Sequence, residues 1–113
     1  MERKRFVIQD VDLEMAFIEV EACFIDDTWE KETIYYENET LKMLVIVVER
    51  YFMRNNSSAS ATYTIMKDEK QVCVTVVASG AGTGLMNFSL GALAKIVNDA
   101  QTKLLGLGFE EVR

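Results

Sequence analysis

One run constrains this chain more than any other: Leu41–Phe52, which reads Leu-Lys-Met-Leu-Val-Ile-Val-Val-Glu-Arg-Tyr-Phe. From Met43 to Val48 both faces of an extended strand are apolar, and three of those six residues are valine. β-Branched side chains lose rotamer freedom in a helix and pack well on a pleated surface. Such a run is long for an edge strand and too β-branched for a helix. The segment is therefore expected to be the central strand of a sheet, leaving the core at Glu49-Arg50.

The totals narrow the class. A chain of 113 residues makes one domain and buries roughly two thirds of its unfolded surface, enough for a core without staples. Half of its residues are apolar, which excludes a disordered chain. No apolar run approaches the ~20 residues of a membrane span, and the start, Met1–Asp10, lacks the long apolar region of a secretory signal. A cytoplasmic protein is the expectation. Cys23 and Cys73 lie in apolar periodic segments with no Cys or His beside them, as buried thiols in a reducing compartment do. The absence of histidine removes the commonest general base, the commonest transition-metal ligand and every nucleophile pair built on histidine. Residues 10–39 hold eleven acids against one base, within a chain of net charge −6. An acidic first third lacks the basic footprint of a duplex-binding domain, so no nucleic-acid or membrane partner is expected. It reads as a solvated helix face and loop ahead of a docking surface for a basic partner.

In chain order, Arg3–Gln9 alternates weakly, as a short edge strand would. Asp10 or Asp12 offers a helix N-cap, and Leu13, Ala16, Phe17, Val20 and Phe24 follow helical spacing, giving a helix over 12–25. Thr33–Tyr36 reads as a short strand. Ala59–Met66 and Val72–Ala78 alternate as strands, joined by the tight connection Lys67–Lys70. Ser79–Gly84 is expected to break the sheet. A second helix follows, capped by Asn87 or Ser89, with Leu90, Leu93, Ala94, Val97, Ala100 and Leu104 as its stripe and Gly106 and Gly108 as its stop. Short polar turns between successive strands make an antiparallel meander. The expected fold is an α+β two-layer sandwich: a meander of four to five strands with the N-terminal and C-terminal helices on one face.

Val47-Val48-Glu49-Arg50-Tyr51, the Asn/Ser turn after it, the valine-rich last strand with its Ser79-Gly80 exit, and the late helix with Gly91 resemble a small bacterial single-domain family of unknown function. The likeness covers roughly residues 42–105. The family pattern has Ser-Gly-Gly after the strand, where this chain has Ser79-Gly80-Ala81-Gly82. The resemblance implies a single α+β domain and no particular chemistry.

Two constellations qualify as candidate sites. Gly80, Gly82 and Gly84 admit close backbone approach by a ligand, a helix N-terminus presents N–H groups to an anion, and Ser79, Thr83 and Ser89 would add hydroxyls. The spacing is neither the dinucleotide fingerprint nor the phosphate loop with its lysine, and a plain strand-to-helix connection is the simpler reading. Glu49 and Tyr51 share one strand face and Arg50 takes the other, so a buried carboxylate–phenol pair is one reading and a strand end meeting water the simpler one. Asp10, Asp12, Glu14 and Glu21 mimic calcium-loop spacing, but Met15 stands where that loop needs glycine, so no metal is expected. Trp29, Tyr35 and Tyr36 are expected to cover the edge of the core. No catalytic residue set and no cofactor emerge. With the apolar central strand and an apolar second sheet face, a non-enzymatic domain that associates as a homodimer is the first expectation. A small-molecule or anion-binding domain using Gly80–Gly84 is the alternative.

Overall fold

The computed structural model describes the backbone of residues 1–25, 30–52, 57–82 and 90–113. The elements in order are β1 (Glu2–Gln9), α1 (Leu13–Ile25), β2 (Glu30–Glu37), β3 (Lys42–Phe52), β4 (Ser57–Lys67), β5 (Gln71–Gly82), α2 (Leu90–Gly106) and β6 (Glu110–Val112). Six strands form one antiparallel sheet in the order β2-β3-β4-β5-β1-β6, larger than the meander expected. The α+β class and the meander β2–β5 stand.

Strand parity explains the core. Leu44, Ile46 and Val48 of β3 meet Ile65, Tyr63 and Ala61 of β4, and those meet Val74, Val76 and Ala78 of β5. All are buried, and Phe6 and Ile8 of β1 extend the same face. Both helices cover that face: α1 lies over β3–β5 and α2 over β5, β1 and β6. α1 buries Ala16, Phe17, Val20 and Phe24, and α2 buries Leu93, Val97, Ala100 and Leu104. The Phe24 and Tyr63 rings stack with centroids 4.2 Å apart.

Local signals set the element ends. Asp12, not Asp10, caps α1, accepting at Oδ1 from the Met15 N–H at 3.1 Å. Asp10 takes a left-handed φ of 60°, which a short polar side chain tolerates at a sharp strand-to-helix turn. At the other end of α2, Gly108 (φ 97°) donates to Leu105 O and Phe109 to Leu104 O. That pair of bonds is a Schellman closure, and it seats Phe109 against the core at the entry to β6. Asn38 and Asp68 close the β2–β3 and β4–β5 hairpins alike. Asn38 Oδ1 accepts from Thr40 N (2.9 Å) and Leu41 N (2.8 Å), and Asp68 Oδ1 from Lys70 N (2.7 Å) and Gln71 N (3.0 Å).

Four expectations are corrected. β1 is internal, flanked by β5 and the three-residue β6, and is no edge. β3 is paired on both sides, but the middle of the sheet is β4–β5. Ser79-Gly80-Ala81-Gly82 does not break the sheet: β5 continues through it, Gly80 opposite Ala59 and Gly82 opposite Ser57. Tyr35 and Tyr36 do not cover the core edge. They stand 53% and 49% exposed on β2, an edge strand. The acids of β2 (Glu30, Glu32, Glu37) put charge along that open edge, which discourages unwanted strand pairing.

Candidate functional site

The face of the sheet away from the helices has no covering layer among the described residues. Its side chains are the odd members of β1, β3 and β5 and the even members of β2 and β4, so the registers order them into rows running from β2 to β1. The first row is Tyr36, Met43, Met66, Cys73 and Val7; the second is Ile34, Val45, Thr64, Thr75 and Arg5. The third is Glu32, Val47, Thr62, Val77 and Arg3, and a fourth holds Glu30, Glu49, Ser60 and Ser79.

Composition along these rows is not uniform. The middle is apolar or hydroxylic: Met43, Val45, Val47, Cys73 and Val77 are half-buried only by their neighbours, and Met66 and Ile34 are 39% and 57% exposed. Towards β2 the face is acidic, with Glu30, Glu32 and Glu49 exposed; on β1 it is basic, with Arg3 and Arg5 exposed, and β6 beyond adds Val112 beside Arg5 and the exposed Glu110 beside Val7. The sheet therefore presents an apolar strip between the carboxylates of β2 and β3 and the two arginines of β1. An apolar patch rimmed by polar groups is the signature of an interaction surface.

The residues singled out from sequence fall as follows. Glu49 is exposed on the acidic margin, opposite Glu30 on β2 and Ser60 on β4. It is no buried carboxylate. Arg50 and Tyr51 belong to the same strand, opposite Ala59 and Ser58, and their side chains lie outside the described residues. Ser79 is half-buried on the open face, its Oγ 2.9 Å from Ser60 Oγ. Gly80 and Gly82 are strand residues; Thr83, Gly84 and Ser89, with the proposed caps of α2, lie outside the described residues. Trp29 does too.

One cluster carries no signal in the sequence. Lys42 and Lys67 sit side by side at the hairpin end, and α1 places Glu14 between them at 3.5 and 3.8 Å. Lys42 Nζ also lies 4.7 Å from the centre of the Phe17 ring. Partial burial works against the Lys42 charge, but Glu14, Tyr35 and Glu37 outweigh it and raise its pKa above the ordinary lysine range. Tyr35, which donates to Glu37 Oε1 at 3.0 Å, is raised by partial desolvation and by that bond. Both shifts hold protons on groups already protonated at neutral pH, so the cluster is a latch between α1 and the sheet rather than an acid–base pair. The pairing emerges only once register and helix placement are fixed. No group of three or more acids or cysteines arranged to hold a metal occurs among the described residues, and no helix among them is long and apolar enough to cross a membrane.

These features define a class: a small α+β domain with an open antiparallel sheet, one face under two helices and one face free. Residues 26–107 match a family of unknown function, DUF6054, and the chain belongs to that family. No curated protein and no solved structure matches it.

Proposed function

We propose that this protein works by association, pairing with a second copy through the open face of its sheet. The observation that carries this reading is the row structure: an apolar strip bordered by carboxylates on β2–β3 and by Arg3 and Arg5 on β1. Place a second copy face to face with a two-fold axis in the interface and parallel to the strands. Each acidic margin then lies over the basic margin of the other copy, while Val45, Val47, Met66 and Val77 meet across the middle. A two-fold interface must be self-complementary, and opposite charge at the two ends of the Glu32 and Arg3 row supports that. Opposed sheets of this kind pack roughly 10 Å apart with their strands nearly aligned. The same arrangement rotated about an axis across the strands sets β2 over β2 and loses the pairing, so charge selects one of two otherwise similar stackings.

The test is sedimentation equilibrium on the wild-type chain and on Val47→Lys. The wild type is expected to show a concentration-dependent dimer. The variant, with an ammonium in the middle of the strip, is expected to remain monomeric at concentrations at least ~10-fold higher, with an unchanged circular dichroism spectrum. A wild-type chain that stays monomeric into the high micromolar range overturns the reading.

A further inference from the structure

α1 carries two apolar stripes. Ala16, Phe17, Val20 and Phe24 are buried against the sheet. The second stripe, Met15, Ile18, Ala22 and Ile25, is exposed, Met15 by 49%, Ile18 by 52% and Ile25 by 38%. Its steps of three, four and three residues are those of a coiled-coil seam, and Val11, a further four residues towards the N-terminus, is 49% exposed as well. A surface helix ordinarily turns one apolar stripe to the core; this one carries a second, turned to solvent.

The borders of the seam are of one sign. The positions flanking it are Asp12, Glu14, Glu19 and Glu21, and α1 has no basic residue. Of these four, only Glu14 has ion-pair partners among the described residues. At its N-terminal end the seam runs into a cleft of about 250 Å³ whose walls include Ile8, Met15, Leu107 and Phe109 together with Asp12 and Glu19. An apolar seam leading into a cleft walled by apolar side chains and two carboxylates, with further carboxylates on both flanks of the seam, describes its occupant.

We propose that the outer face of α1 docks a basic amphipathic helix of another protein, with apolar residues at three- and four-residue spacing and Lys or Arg along both flanks. Helix-in-groove recognition of this kind reads apolar anchors for affinity and flanking charge for choice of partner. A second copy of α1 is a poor occupant, because Glu14, Glu19 and Glu21 would face their own equivalents. An anionic lipid surface is repelled by the same carboxylates.

The probe is a fluorescein-labelled synthetic helix of roughly three heptads with Leu on the seam and Lys on both flanks, set against a second with Glu on the flanks. Fluorescence anisotropy with the full chain is expected to show saturable binding of the Lys peptide, weakened by added salt, and none of the Glu peptide. Ile18→Ser is expected to weaken binding at least ~10-fold through the lost apolar contact. Glu19→Lys with Glu21→Lys is expected to reverse the preference towards the Glu peptide. Ile18 and Glu19 are exposed and Glu21 is half-buried, and circular dichroism verifies that the helix persists. Val47→Lys, on the far side of the sheet, is expected to leave peptide binding intact, so this inference and the sheet-face dimer stand or fall separately. Equal binding of both peptides, binding indifferent to Ile18→Ser, self-association lost on Ile18→Ser, or adhesion to phosphatidylserine vesicles in place of the peptide would each overturn the proposal.

Discussion

The two faces of β3 differ less in sequence than in fate. Leu44, Ile46 and Val48 point to the helices and are 3%, 0% and 0% exposed. Met43, Val45 and Val47 alternate with them, are just as apolar, and stay only half-buried. The strand is equally suited to both environments, and what separates them is the covering layer. Folding of the single chain uses one face to assemble a core and leaves the other with its apolar area still in contact with water. The hydrophobic term scales with area removed from water, so the unused face retains a driving force that the core has already exhausted.

That contrast predicts a steep difference between neighbours. Ile46→Ala removes buried methyl groups and leaves a void, and is expected to destabilise the chain by about 3 kcal/mol in urea denaturation. Val45→Ala, one residue earlier, is expected to cost under about 1 kcal/mol when measured at concentrations where the chain is monomeric. Equal losses at the two positions would mean that the open face is already covered.

Hairpin closure serves both faces and ranks next. Asp68→Ala removes the acceptor for two backbone N–H groups and is expected to cost about 1 kcal/mol. The N–H groups of Lys70 and Gln71 hold the Asp68 carboxyl below its ordinary value of 3.8. A lowered folded-state pKa makes this contribution complete above the unfolded value and lost as pH falls through the folded one. The acid limb of a stability–pH curve should therefore flatten below pH 4 in Asp68→Asn relative to wild type. The smallest effect belongs to the outer side of α2, where Lys95 and Asp99 pair at 2.9 Å but are 74% and 61% exposed. Lys95→Ala is expected to change stability by about 0.3 kcal/mol, read from thermal midpoints at low and high salt.

Much of the fold was legible because period-two alternation reports a face directly. β4 and β5 announce themselves by it, and Phe17, Val20, Val97 and Leu104 by helical spacing. What escaped had physical reasons. Glu110–Val112 is too short to show a period, and it is a strand only because the Gly108 turn delivers it beside β1. Gly80 and Gly82 suggest a break by composition, yet pairing with β4 overrides that weak preference. β1 looks like an edge because its alternation is weak, and only long-range pairing places it inside the sheet. Tyr35 and Tyr36 carry core-like chemistry on the edge strand, where they stay exposed. The outer stripe of α1 was hidden by the inner one, since two apolar stripes on one helix blur the contrast that marks either. Of the candidate site, the apolar second face was legible from Met43–Val48, Cys73 and Val77. Its opposed charged borders were not, because Arg3 and Glu32 share a row only through the registers of four intervening strand pairs.

The most direct measurement is native mass spectrometry of two charge-reversed variants, separately and mixed. Arg3→Glu with Arg5→Glu makes both ends of the rows acidic, and Glu30→Arg with Glu32→Arg and Glu49→Arg makes both basic. Each alone should be monomeric where the wild type is dimeric, and an equimolar mixture should yield the heterodimer. Dimers of either variant alone at wild-type strength, or a mixture that stays monomeric, would contradict a face held together by its apolar strip and opposed borders.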